Sequence, residues 1–341
     1  MENKKINVYI PISPSHILNF EQLILEAGNE YKNILLNPGG FKYNIEVWDI
    51  VIGDSKKLTS NETNFFRKIK YQLYKIESYQ LFIKKVEERL SIYTSINLYY
   101  CNLEDILTNF FFFSYKPKSV VNKFLVEDGV LNYYNYKIQE KGIRKFYFKN
   151  FLCKFYGIPF TIFKGEVSGI DLKYIEKQYV RIPSLAIYPE KALQLPFKEI
   201  FFEPKKNVVL FIGQDIFVNI IGIKEYLERV DYYFKLIKIN NKDDSFEFIY
   251  KPHRNGDYSL IEELCIKYFD NSFRFYLEEE LVEEAVTNIK PSKIYTFSSS
   301  GILNIKLALP LDSQVRFYAY PFASSPVLVK LFEKFKIEII T

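Results

Sequence analysis

At 341 residues with 48% hydrophobic side chains, the chain is too long for one ordinary core and suits two domains. Its 46 basic against 41 acidic residues leave a net charge of +5, too mild for binding along a nucleic-acid backbone, yet compatible with an anionic substrate or with peripheral contact at the inner membrane surface. Cys101, Cys153 and Cys265 are widely spaced, and no apolar run reaches the ~20 residues of a membrane helix, which argues against a disulfide framework, a zinc site and a span and leads us to expect a soluble cytoplasmic protein.

Ile6–Ile12 is a short β-branched run ending at Ser13-Pro14-Ser15-His16, and apolar residues at helical spacing follow from Ile17 to Ala27, so the opening reads strand, loop, helix. Strands are expected at Asn33–Leu36 and Ile45–Ile52, a long helix from Glu62 to Leu90, a strand at Asn97–Tyr100, and a helix from Leu103 to Phe112 that begins near Glu104 and Asp105. Val120–Val126 reads as a buried strand that stops at Glu127-Asp128-Gly129. From Lys145 to Pro204 the pattern is broken by Pro159, Pro183, Pro189, Pro196 and Pro204, and Pro189–Lys206 reads as the joint between a domain of residues 1–195 and one of residues 196–341.

The alternation then restarts. Asn207–Ile212 is a strand closed by Gly213-Gln214-Asp215, Ile220–Ile237 an amphipathic helix, and Phe246–Tyr250 a strand running into Lys251-Pro252-His253-Arg254. A helix at Ile261–Phe269, a strand at Phe273–Tyr276 and a helix at Leu281–Ile289 follow. Lys293–Phe297 leads into Ser298-Ser299-Ser300-Gly301 and a helix at Ile302–Leu309, and the chain closes with Val315–Tyr318 and a helix near Val327–Phe335.

Strands alternating with helices imply parallel sheets, whose ligands sit beyond the carboxyl ends of the strands. Two successive αβα domains with a proline-rich joint describe the GT-B arrangement, two Rossmann-like αβα domains facing a central cleft. Other pairs of α/β domains, such as an epimerase or a periplasmic-binding-like fold, share the same alternation.

Four stretches at strand ends carry chemistry. His253 is one of only two histidines, flanked by Lys251 and Arg254, and an imidazole there can donate to a phosphate; a strand-end histidine satisfied by backbone is the plain alternative. Ser298 to Ser300 open a helix where free N–H groups meet an anion, although one serine suffices for an ordinary N-cap. Gly213 lets a ligand approach the backbone, Gln214 follows it, and Asp215 is either a base or a cap; the absence of a full G-x-G-x-x-G disfavours NAD. Glu127 and Asp128 are adjacent carboxylates before flexible Gly129, expected to raise each other's pKa so that one serves as a base, unless they form a solvated acidic turn. His16 ends the first strand in the same way, and neither domain carries a D-x-D or a histidine spacing suited to a metal.

An acidic pair before glycine in the first half, a histidine after a strand in the second, and a later serine cluster together resemble the bacterial sialyltransferases with a GT-B fold. Locally, Leu210 to Asp215, Tyr250 to Arg254 and Ile294 to Ser298 look like the lipooligosaccharide sialyltransferases. The likeness is clearest from Val208 onward; in the first half only the acidic triplet and the general layout match. One departure is that the family's His-Pro reads here as Pro252-His253.

The resemblance implies inverting transfer of sialic acid from CMP-sialic acid to a sugar hydroxyl, such as that of a terminal galactose on a lipopolysaccharide or other surface glycan, with no cofactor and no divalent metal. Within it, Asp128 supported by Glu127 is one candidate base, and Asp215, the acid of the glycine loop, is the other. His253 and Ser298 to Ser300 would stabilise the departing CMP phosphate. A GT-B transferase using another nucleotide sugar and a non-catalytic partner in polysaccharide assembly are the alternatives.

Overall fold

The computed structural model describes residues 5–28, 31–53, 65–115, 120–133, 137–241, 245–253, 256–278, 280–299, 301–310, 312–321 and 326–340. The chain divides into two compact units, Met1–Phe197 and Lys198–Thr341.

The first unit holds a seven-stranded sheet built from β1 (Lys5–Ile10), β2 (Lys32–Asn37), β3 (Ile50–Gly53), β4 (Ser95–Tyr100), β5 (Val120–Val126), β6 (Ile175–Val180) and β7 (Ala192–Gln194). Their order is β3-β2-β1-β4-β5-β6-β7, and every neighbouring pair is parallel. Residues of β1 alternate between faces. Ile6, Val8 and Ile10 pack with Ile76, Phe82 and Val86 of the helix Phe65–Leu90 and with Phe146 and Cys153 of the helix Glu140–Phe155. Tyr9 faces the other way, against Phe20 of the helix Pro14–Ala27 and against Trp48.

On that second face four asparagines form a ladder across adjacent strands. Asn122 donates to Asn97 at 3.0 Å, Asn97 to Asn7 at 2.9 Å and Asn7 to Asn33 at 3.0 Å. They share one register level, Asn33–Asn7–Asn97–Asn122. Two residues further along, Tyr9, Tyr99 and Phe124 stack at centroid distances of 4.5 and 5.0 Å.

The second unit carries β8 (Lys205–Ile212), β9 (Glu247–Lys251), β10 (Phe273–Phe275), β11 (Pro291–Thr296), β12 (Arg316–Ala319) and β13 (Glu338–Ile339) in the order β10-β9-β8-β11-β12-β13, again all parallel. Its core is packed with aromatic rings: Phe211 stacks on Tyr250 at 5.4 Å and Phe248 on Phe269 at 3.8 Å, beneath the helix Ile223–Asn240. Much of the chain's aromatic content therefore fills cores. Both units are doubly wound Rossmann-like αβα domains, with the strand order reversing between β1 and β4 in one and between β8 and β11 in the other.

Several expected elements differ. Residues 45–47 form a turn, with the Val47 N–H donating to Asn44 O at 3.2 Å, so only Ile50–Gly53 is strand. The helix expected from Leu103 begins at Ile106, because Asp105 caps it by accepting the N–H of Leu107 at 2.9 Å, and it widens into a π-helical turn at Phe110–Ser114. The stretch read as irregular from Lys145 to Pro204 contains most of the helix Glu140–Phe155 and strands β6 and β7. The helix expected at Ile220–Ile237 is broken at Gly222, whose φ of 87° is left-handed. Among the described residues no helix is long and apolar enough to cross a membrane.

Candidate active site

The first domain's switch point lies at the ends of β1 and β4. The chain leaving β1 enters the helix Pro14–Ala27 with proline in its first turn, where a missing N–H costs nothing. His16 in that turn is 2% exposed. Its Nδ1 accepts the backbone N–H of Ile12 at 3.3 Å, which assigns the ring proton to Nε2. Nε2 in turn donates to Asp128 Oδ1 at 2.9 Å. Asn102, just past β4, donates to Asp128 Oδ2 at 2.6 Å, and the Asp128 N–H donates to Asn132 Oδ1 at 2.8 Å. Gly129 follows with a left-handed φ of 57°, which turns the chain away and leaves the Asp128 side chain 22% exposed.

Burial pushes the Asp128 pKa up, but the hydrogen bond from His16, the electrostatic pull of its ring and the bond from Asn102 outweigh burial, and the net pKa lies below the ordinary carboxylate value. For Asp128 the expected rise is therefore corrected. Neighbouring side chains on extended backbone point to opposite sides, and Glu127 turns inward. It is 2% exposed and its Oε1 accepts from Arg181 Nη1 at 2.6 Å. Its Oε2 accepts the Arg181 N–H at 2.7 Å and the Tyr133 hydroxyl. Arg181 Nη2 continues to Asn19 Oδ1 at 2.8 Å, and Asn19 donates to the Glu127 carbonyl at 3.2 Å. Glu127 is thus a buried structural carboxylate, and the support expected of it for Asp128 comes from His16 and Asn102.

In the second domain the loops after β9, β8 and β11 leave three adjacent strands. A Cβ on Gly213 would lie 2.3 Å from the Tyr250 hydroxyl, so glycine admits that phenol. Gln214 Oε1 accepts the Ser298 N–H at 2.5 Å and ties together the two loops that flank the switch point. Ser299 Oγ accepts the Gly301 N–H at 3.2 Å, capping the helix Gly301–Ala308.

Asp215, which the sequence leaves open as a base or a cap, accepts hydrogen bonds on both carboxylate oxygens. It is 2% exposed; Oδ1 accepts the hydroxyls of Tyr226 at 2.9 Å and Tyr250 at 2.5 Å, while Oδ2 accepts the His253 N–H at 3.2 Å. Gly256 closes the turn by donating to His253 O at 2.8 Å, and a Cβ there would meet the Asp215 Cβ at 2.5 Å. With both oxygens occupied and almost no accessible surface, Asp215 anchors the turn at His253. The Pro252-His253 order fits this, since the histidine supplies the N–H that Asp215 holds.

Lys251, expected beside a substrate, instead donates to Glu278 O at 3.0 Å and lies 5.1 Å from the Tyr276 ring centroid, bracing the loop after β10. Burial lowers its pKa, against the pull of Glu280, Glu278 and Glu284. Pro252, His253, Ser298 and Ser299 are half-buried. Arg254 and Ser300 lie outside the described residues.

Asn102, Asn132, Asn19, Arg181, Tyr133, Tyr226 and Tyr250 all serve these two sites without having been singled out in sequence. Asn102 carried a signal, a polar residue two positions past a buried strand. Arg181 carried none, because the strand it follows, β6, lies in the stretch read as irregular.

No protein-family model and no curated relative matches the sequence. Among solved structures, the GT-B domain of a sialyltransferase from Photobacterium damselae is similar at a TM-score of 0.49 and 12% identity, covering 98% of this chain and 99% of that one. A UDP-GlcNAc 2-epimerase from Methanocaldococcus jannaschii aligns at a TM-score of 0.45 and 12% identity, covering 92% and 83% of the two chains. MurG from Acinetobacter baumannii aligns at 0.43 and 8% identity, covering 99% and 85%.

Proposed function

We propose that the chain is a GT-B-type nucleotide-sugar enzyme and, more specifically, an inverting, metal-independent sialyltransferase that moves sialic acid from CMP-sialic acid to a sugar hydroxyl of a bacterial surface glycan. The observation that carries this reading is the partly exposed Asp128 carboxylate at the first domain's switch point, held in its ionised form by His16 and Asn102.

In this mechanism the acceptor oxygen forms a bond to the anomeric carbon as the bond from that carbon to the CMP phosphate oxygen breaks, and Asp128 takes the hydroxyl proton. A carboxylate below the ordinary pKa is a weak base, so the proton moves late, once the new bond has made the hydroxyl acidic. The departing phosphate gains charge, and His253 together with the Ser298 and Ser299 loop supplies donors to it. Asp215 fixes the His253 turn and takes no proton.

The test is transfer from CMP-sialic acid to a galactose-terminated acceptor in the presence of a chelator, by wild type and Asp128→Asn. The expected loss in the variant is on the order of 10²–10⁴-fold. Equal turnover in the two proteins overturns the assignment of the base. Thermal stabilisation by CMP, and none by UDP or GDP, supports the donor class, whereas the opposite preference assigns another nucleotide sugar. Neither transfer nor donor hydrolysis by wild type favours an assembly role.

A further inference from the structure

Among the described residues, the helix Glu140–Phe155 has one face left exposed by the packing of its domain. Its inner side is accounted for: Phe146 and Cys153 are buried in the first domain's core, and Lys149 donates to the Glu104 carbonyl. Its outer side carries Phe148, Phe151 and Phe155, at 54%, 56% and 73% exposure, in an i, i+3, i+7 stripe. Tyr147 beside them is 61% exposed, and the rings of Phe151 and Phe155 meet edge to face at 4.9 Å. Isolated exposed apolar side chains are ordinary; a contiguous aromatic stripe on one helix marks an interaction surface.

The charges around the stripe select its partner. Arg144 lies in line with the phenylalanines, Lys145 on one flank and Lys154 on the other, and all three are exposed. Over its length the helix holds five basic residues against the single acid Glu140. Aromatic rings flanked by Lys and Arg suit the boundary of an anionic bilayer, where the rings enter the headgroup region and the cations meet lipid phosphates. Protein–protein interfaces are depleted in lysine relative to the rest of the surface, whereas here two lysines flank the rings.

We propose that this face docks the protein on an anionic lipid surface, with Phe148, Phe151 and Phe155 inserted and Arg144, Lys145 and Lys154 held at the phosphates. The inference is independent of the activity proposed above. The Lys149 bond to Glu104 joins the docking helix to the loop that carries Asn102, so the surface and the Asp128 site belong to one packed unit.

The experiment is sedimentation of the full chain with vesicles of phosphatidylcholine alone or mixed with phosphatidylglycerol, at low and high salt. Binding to the mixed vesicles, weakened by salt and absent with phosphatidylcholine alone, is expected. Replacing Phe148, Phe151 and Phe155 together by serine should lower affinity by roughly tenfold per ring. R144Q, K145Q and K154Q should each lower it about fivefold. Circular dichroism and thermal unfolding of the variants should match wild type, since none of the six side chains is in the core. Failure of wild type to bind anionic vesicles, or undiminished binding by the triple serine variant, overturns the proposal. So does a wild-type dimer in light scattering that the triple serine variant converts to monomer, because the face then belongs to a second copy of the chain.

Discussion

Replacing His16 by leucine removes the Nε2–H donor that meets Asp128 at 2.9 Å and the electrostatic pull of the ring, leaving burial opposed mainly by Asn102. A hydrogen bond to a charged group is worth about 1.5–3 kcal/mol, and one pKa unit corresponds to about 1.4 kcal/mol, so the Asp128 pKa should rise by roughly one to two units in the variant. The acid limb of kcat/KM, which reports the free enzyme, should move up by that amount, with the neutral-pH plateau retained. His16→Gln keeps an N–H able to reach Oδ1 and should fall between leucine and wild type, while Asn102→Ala should shift the limb in the same direction as leucine. Stability follows the same sign. Because native contacts favour the ionised form, Asp128 stabilises the fold above its unfolded pKa of about 3.9, and the contribution fades as pH falls through the lower folded value. Urea midpoints of wild type and Asp128→Asn should therefore differ at neutral pH and converge in acid. An acid limb at one pH in wild type and His16→Leu would refute the assignment of His16 as the group that keeps Asp128 ionised.

Other outcomes follow from the two buried carboxylates and the glycine loop. Arg181→Met strands Glu127 without its cation and should cost about 3–5 kcal/mol in urea unfolding; a change under about 1 kcal/mol would show that the tyrosine and backbone donors suffice. Asp215→Asn should loosen the His253 turn and raise the KM for the donor while leaving the acid limb where it is, and disappearance of that limb would return the base role to Asp215. Gly213→Ala forces a methyl group to within 2.3 Å of the Tyr250 hydroxyl and should cost about 1–3 kcal/mol by thermal unfolding, with a parallel loss of CMP-induced stabilisation.

Strands buried on both faces read as continuous apolar runs, which is why Ile34–Leu36 and Val208–Ile212 announced two parallel sheets. β6 was hidden because Ile175–Val180 interleaves Glu176, Lys177 and Gln178 with its apolar residues, and β7 and β13 are too short to show a period. His16 and Asp128 were each visible as strand-end residues. Their pairing was not, since it joins positions 112 apart and follows from the order β1-β4-β5. Glu127 and Asp128 look equivalent in sequence; only the inward and outward turn of consecutive side chains, and an arginine just past a strand with no sequence signal, separates the structural acid from the candidate base. In sequence Asp215 reads equally as a base or a cap and Lys251 as a substrate contact; the structure shows each holding a loop at a strand end, a contact between positions far apart that no local pattern reveals.

The asparagine ladder bears on how the first domain assembles. Its three bonds join segments 25, 26 and 90 residues apart, so none can form from local chain contacts. A parallel sheet must bring such segments together in the right alignment before packing rewards it, and apolar strands alone tolerate sliding. A slip of one residue would turn an asparagine to the opposite face and leave amides facing hydrocarbon, at about 1–3 kcal/mol for each unpaired group. The ladder thus acts as a proofreading device during folding, penalising misaligned intermediates on β2, β1, β4 and β5 alike. The same alignment that satisfies the amides sets β1, β4 and β5 level with one another, and with them His16, Asn102 and Asp128 at their ends.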